Sequence, residues 1–247
     1  MTTTFYTLGL ILILSAVIFF HEFGHFLAMR LFGIKVDEFA IGFGPKIWSR
    51  RLRSGVVFSV RLILVGGFNK PAPGAVEAAP IHQRAAVFSA GMLANVLTGG
   101  LAVAAMYFSQ VYGQGPREVG TAVAMGLWDV FRSWLAYPST VIRFFCHDFA
   151  SAVETISGPI GIVRKLLPTF EASPLGALTC FGQVSVIAAG FNLLPLPFLD
   201  GGHLVLIPLQ KLIGRKANQV VMVGGGMLVI FLFAWTTTRD ILSIFGL

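Results

Sequence analysis

Charge is scarce in this chain. Only 12% of its 247 residues are Asp, Glu, Lys or Arg, about half the share found in ordinary soluble domains. So few ionised groups exclude both a highly charged disordered chain and a water-covered globule of this size. Cysteine is scarcer still: Cys146 and Cys180 stand apart in unrelated apolar stretches. No disulfide framework or thiolate metal site is therefore expected, and both read as reduced, buried thiols. Residues 1–4 carry no Lys or Arg, and no small-residue cleavage site follows the first apolar run. A retained first membrane span fits that pattern better than a removed signal peptide. No internal repeat, low-complexity tract or separate soluble domain is visible.

What the chain has in abundance is hydrocarbon. Hydrophobic residues make up 55% of it, 23 residues are Phe, and the mean hydropathy is +0.80. The expected fold is an α-helical polytopic membrane protein, one membrane-embedded unit over residues 1–247. About four transmembrane helices are expected near 5–32, 85–108, 175–196 and 217–235, the third running into Pro195 and Pro197. Lys35, Lys46, Arg50, Arg51, Arg53, Arg61 and Lys70 crowd the first connection, which the positive-inside rule places in the cytoplasm; Lys211, Arg215 and Lys216 fall on the same side two crossings later. Cytoplasmic anchoring and a lipid bilayer with anionic headgroups account for the formal charge of +7 without a nucleic-acid partner.

Within residues 36–70, the β-branched and apolar run Val56–Val65 ends at Gly66-Gly67, which reads as a small membrane-associated β-hairpin or sheet. Its open edge, near Gly66 and Gly67, could pair with an extended peptide; an ordinary hairpin resting on the bilayer is the competing reading. Residues 117–150 alternate apolar and charged positions around Pro138, as expected of broken amphipathic helices in the interface.

The chemistry concentrates in His21-Glu22-Phe23-Gly24-His25, directly after an apolar run. Positions i and i+4 share a helix face, so both imidazoles can bind one zinc ion while Glu22 reaches a water beside it. A catalytic zinc usually takes three protein ligands. Ala28 and Leu31 stand where a metzincin needs Gly and His, which excludes that class. Asp37 and Glu38 lie beyond Gly33, where the helix should end, and read as solvated loop carboxylates. Asp200, a lone carboxylate among Leu, Phe and Gly in Asn192–Gly202, needs a positive partner. Zinc would supply one; capping of a helix beginning near Gly201 is the rival reading. Asn192 could bond a substrate backbone or developing oxyanion, or serve only in interhelical bonding, the role preferred for Asn95. His203 reads as structural.

These motifs together resemble the site-2 protease family of intramembrane zinc metalloproteases, most closely the bacterial regulator-of-sigma-E protease type. The resemblance is carried by His21–His25, Ile41-Gly-Phe-Gly44, Leu64-Val-Gly-Gly-Phe68, Ser157-Gly-Pro-Ile160 and Asn192–Gly202. It implies zinc held by His21, His25 and Asp200, water activated by Glu22, and residence in a bacterial inner membrane. It also implies single-pass transmembrane or signal-peptide-remnant substrates, anti-sigma factors among them. Two departures stand out: no room for a PDZ domain between Phe108 and Leu175, and Met92 after Gly91 where the family usually has Pro. A different class of reading is a non-catalytic membrane metal-binding or ion-transport protein, since intramembrane His and Asp also mark ion pathways.

Overall fold

The computed structural model describes residues 2–111, 116–147, 159–172 and 175–244. Residues 148–150 of the expected amphipathic stretch, and Ser157 and Gly158 of one family-like motif, lie outside them. Helix α1 (Thr2–Leu31) is built almost wholly from apolar residues, and in hydrocarbon only a helix satisfies every backbone group internally. Gly33 ends it with φ +70°. The Ile34 N–H bonds the Met29 carbonyl at 2.8 Å and the Gly33 N–H bonds that of Arg30 at 3.2 Å, the Schellman arrangement that glycine favours. Met29 and Ile34 then share a buried cluster with Val36, Phe39, Val56 and Val87, which seats the following sheet against the helices.

That sheet consists of β1 (Val36–Arg51) and β2 (Val57–Pro71), paired antiparallel. Both strands bend, so residues 38–41 face Gly67–Lys70 along one edge and Val57–Val60 along the other. Segment 67–70 is thereby left at the margin of the sheet, toward α1. Glu38, expected in solvent, is instead 8% exposed. Its carboxylate accepts from the Ser59 hydroxyl at 2.6 Å and pairs with Arg61 at 2.9 Å and Lys46 at 3.0 Å. Burial alone would raise its pKa, but the Ser59 bond and the two cations hold it down at about 2. The correction has a plain cause: Ser59 and Arg61 of β2 and Lys46 of β1 close over Glu38.

A short helix α2 (Ala75–Ala78) leads into α3 (Ile81–Val111), followed by α4 (Pro116–His147), α5 (Pro159–Ala172), α6 (Gly176–Asn192) and α7 (Asp200–Ile244). Among the described residues three helices are long and apolar enough to cross a bilayer: Leu8–Leu31, Ile81–Ser109 and Val220–Ser243. The expected span at 175–196 is an apolar helix of 17 residues, at the lower limit of the lengths that cross a bilayer. Pro195 and Pro197 prevent its continuation. The span expected at 217–235 belongs to α7, which breaks at Gly214 (φ 76°) and returns so that Gly225 packs on Pro197 and Gly226 on Phe198.

Helix α4 corrects one part of the expectation for 117–150, the break at Pro138. It is continuous from Pro116 to His147 and runs antiparallel to α3: Val130 packs with Met92 and Val96, Leu127 against Gly100, and Gly126 against Ala104. The small residues at the crossing permit this approach, and Tyr107 donates to Asp129 at 2.8 Å. Cys180 is fully buried among Leu10, Val17, Leu166 and Val184.

Candidate metal centre

Helix α1 presents His21 and His25 one turn apart, both 9% exposed. Across from them α7 begins. The preceding loop, Pro195 to Leu199, carries Phe198 in the left-handed region (φ 81°), a conformation costing roughly 1–3 kcal/mol for such a residue and held only where the surroundings enforce it. Here the returning half of α7 packs on Pro197 and Phe198. The turn aims Asp200, in the first turn of α7, at the two imidazoles. Its Oδ2 lies 3.1 Å from His21 Nε2 and 3.3 Å from His25 Nε2, and the two nitrogens are 3.1 Å apart.

That triangle tests the metal assignment directly. Zinc bonds of about 2.0–2.1 Å in tetrahedral geometry space neighbouring ligand atoms about 3.3–3.4 Å apart, close to all three sides. Asp200 Oδ2 is buried and, among the described residues, faces the two imidazole nitrogens, an arrangement that fits three ligands around one cation. Among the described residues these are the His, Cys, Asp or Glu side chains grouped closely enough to hold a metal.

The surroundings orient the rings. His25 Nδ1 lies 2.7 Å from the Val87 carbonyl; donating there fixes the tautomer and leaves Nε2 its lone pair. His21 Nδ1 lies 3.5 Å from the amide of Asn95, which is fully buried with an unpartnered Oδ1. With His21 Nε2 kept free for a metal, a 180° rotation of that amide lets Oδ1 accept the Nδ1 proton. Gly91 makes the approach of α3 possible: a Cβ there would sit 2.6 Å from His25 Cε1 and 2.8 Å from His21 Cε1.

Glu22 faces the sheet margin, where Asn69 donates to its Oε2 at 2.9 Å and to its backbone carbonyl at 2.6 Å. Gly67 lies beside it, a Cβ at that position falling 3.8 Å from Glu22 Cγ, and Gly66 packs under the Phe43 ring. Asn192 sits at the end of α6 and donates to the Ala188 carbonyl at 3.0 Å. His203 stacks on Phe88 with ring centroids 4.2 Å apart. Val87, Gly91 and Asn69 escaped the sequence reading; the polar Asn69 following Gly66-Gly67-Phe68 was the one available signal.

A family model described as Peptidase family M50 matches residues 9–233. The chain belongs to that family. Protease RseP of Yersinia pestis is 41% identical over 99 residues, covering 35% of this chain and 22% of the relative. Regulator of sigma E protease of Haemophilus influenzae is 37% identical over 115 residues, covering 42% and 25%. The chain thus matches about a quarter of the length of these M50 relatives. Membrane metalloprotease ARASP, chloroplastic, of Arabidopsis thaliana is 24% identical over 352 aligned positions, covering 95% of this chain and 78% of the relative. The M50 match encloses His21, Glu22, His25 and Asp200 together.

The depth of the centre follows from the two long helices. His21 is ten residues from Leu31, and Gly91 ten residues from Ile81, the ends of their spans at the sheet side. At 1.5 Å per residue both put the centre about 15 Å along these helices from their ends at the sheet side.

Proposed function

We propose that this protein is a zinc-dependent endopeptidase that cuts peptide bonds inside the membrane-spanning part of its substrates. The observation carrying this reading is the triangle of His21, His25 and Asp200 between two apolar helices, with Glu22 one residue from His21 and held at the sheet margin. When bound, zinc lowers the pKa of a water toward about 7 and polarises the scissile carbonyl. Glu22 takes the proton of the attacking water and hands it to the leaving amine. His25, tied to Val87, keeps its ring turned toward Asp200. Cleavage inside the span requires a water path to the centre and a substrate helix that unwinds, since helical carbonyls are engaged in their own hydrogen bonds.

The unwound segment pairs with the sheet margin at Gly66 and Gly67, where backbone groups can add a strand beside Glu22; Asn192 contributes a polar contact to it. The substrates are single-pass transmembrane proteins or signal-peptide remnants, anti-sigma factors among them. The setting is a bacterial inner membrane with residues 35–70 in the cytoplasm, the side their basic residues favour. The test compares purified wild type with Glu22→Gln for zinc content and cleavage of a model single-pass substrate. Equal zinc with a rate lower by about 10² to 10⁴-fold in Glu22→Gln is expected. Zinc binding without Glu22-dependent cleavage would favour the non-catalytic metal-binding or ion-transport reading.

A further inference from the structure

We propose that Asn69 is a positioning residue for Glu22, an inference resting on the proteolytic reading above. The side-chain nitrogen of Asn69 lies 2.6 Å from the Glu22 carbonyl oxygen and 2.9 Å from Glu22 Oε2. Both neighbours are acceptors only, so the amide must face them with its NH2 group, and the assignment of its nitrogen and oxygen is settled by chemistry. Both of its hydrogens are then used on one residue, one at the main chain and one at the carboxylate tip. A Glu side chain has three rotatable bonds, and this two-point hold selects one of their combinations.

The hold is rigid at its other end too. Asn69 is paired in register with Phe39 and flanked by Phe68 opposite Ala40, so its backbone is fixed by the sheet independently of α1. Gly67, two residues earlier, lets the same segment lie against the Ala40 carbonyl of β1, where a Cβ would fall 2.8 Å from that oxygen. Among the described residues no cation forms an ion pair with Glu22. The neutral amide therefore keeps the carboxylate in place without the competing charge a Lys or Arg would bring, and leaves its other oxygen to take a proton. Because 67–70 is also the sheet margin, a substrate strand added there would stiffen the segment that holds the base.

The experiment uses the full zinc-loaded chain and a model single-pass substrate, comparing wild type, Asn69→Asp, Asn69→Ala and Asn69→Gln. Asp keeps the shape of Asn but donates nothing and sets a second carboxylate against Glu22; Ala removes the contact; Gln keeps an amide donor. A misplacement of about 1 Å costs about 10²-fold in rate. We therefore expect kcat to fall roughly 10- to 100-fold in Asn69→Ala and further in Asn69→Asp, with KM within about twofold, zinc content unchanged and partial recovery in Asn69→Gln. A second readout does not need turnover. The infrared difference between a protein and its Glu22→Gln counterpart isolates the Glu22 carboxylate band, which should shift when Asn69 becomes Ala. An unmoved band, wild-type kcat in folded Asn69→Ala and Asn69→Asp, or a loss seen only in KM or zinc content would overturn the proposal. If wild type shows no Glu22-dependent cleavage, the proteolytic reading fails on its own, and the infrared band still decides whether Asn69 holds Glu22.

Discussion

Replacing Gly91 by Ala should empty the metal centre while leaving the fold in place. The added Cβ would lie 2.6 Å from His25 Cε1 and 2.8 Å from His21 Cε1, and closer to His25 Nε2. Ordinary carbon contacts begin near 3.5 Å, so the rings must withdraw by about 0.9 and 0.7 Å. A zinc site tolerates about 0.2 Å in its bond lengths. Both nitrogens therefore leave bonding distance unless α3 itself retreats, and α3 is held close to α1 by Gly24 packing on Ala90 and Ala94. Overpacking costs about 1–3 kcal/mol of stability, and loss of ligand geometry about 10²-fold or more in rate. The assay is zinc per chain by mass spectrometry after equilibration with a competing chelator, beside thermal unfolding and cleavage. Gly99→Ala is the control. It lies on the same helix as Gly91 but crowds Ser185 of α6, its Cβ 2.8 Å from that of Ser185, so it should lower stability and keep zinc. Normal zinc retention in Gly91→Ala, or equal zinc loss in both variants, would refute the reasoning.

Asp200→Asn should lower zinc affinity with little change in thermal stability, because Asn caps a helix nearly as well as Asp but is a neutral, weaker ligand. Changes beyond the ligands themselves already cost about 10–100-fold in affinity, so a chelator titration should show at least that, and unchanged affinity would restore the capping role. Glu38→Gln should destabilise the sheet at neutral pH. The folded pKa of Glu38 is depressed to about 2 from 4.5, so its contribution is full above pH 4.5 and is lost as pH falls from there toward 2. The difference in unfolding temperature between wild type and Glu38→Gln should shrink over that window; a pH-independent difference would mean the charge is irrelevant.

The sequence made the centre legible because its parts are local or chemically isolated. His21 and His25 lie one helical turn apart, and Asp200 is a carboxylate with no other charged side chain between Lys165 and Lys211 apart from Glu171. What escaped notice was relational. Gly91 and Val87 matter because α3 runs antiparallel against α1, and nothing in either residue type announces that the other helix carries imidazoles. Glu38 looked solvated because its neighbours in sequence are polar, whereas the Arg61 and Ser59 that pair with it lie on the other strand. The span expected at 175–196 ran as far as the Pro195 and Pro197 interruption, whereas α6 ends earlier, at Asn192, after 17 residues. The first half of α4 lies along α3 because small residues at Gly100, Ala104 and Gly126 permit it, a packing gain that an amphipathic pattern read in isolation does not reveal.

The central claim is hydrolysis at mid-span, and the position of the cut tests it most directly. Purified zinc-loaded protein is incubated with a single-pass substrate in bilayers, and the new termini are mapped by mass spectrometry, with Glu22→Gln as the blank. With the centre about 15 Å along the spans of α1 and α3, the new termini should lie inside the apolar segment of the substrate, several residues from its cytoplasmic end. Termini confined to the polar flanks, or identical fragments from Glu22→Gln, would contradict it.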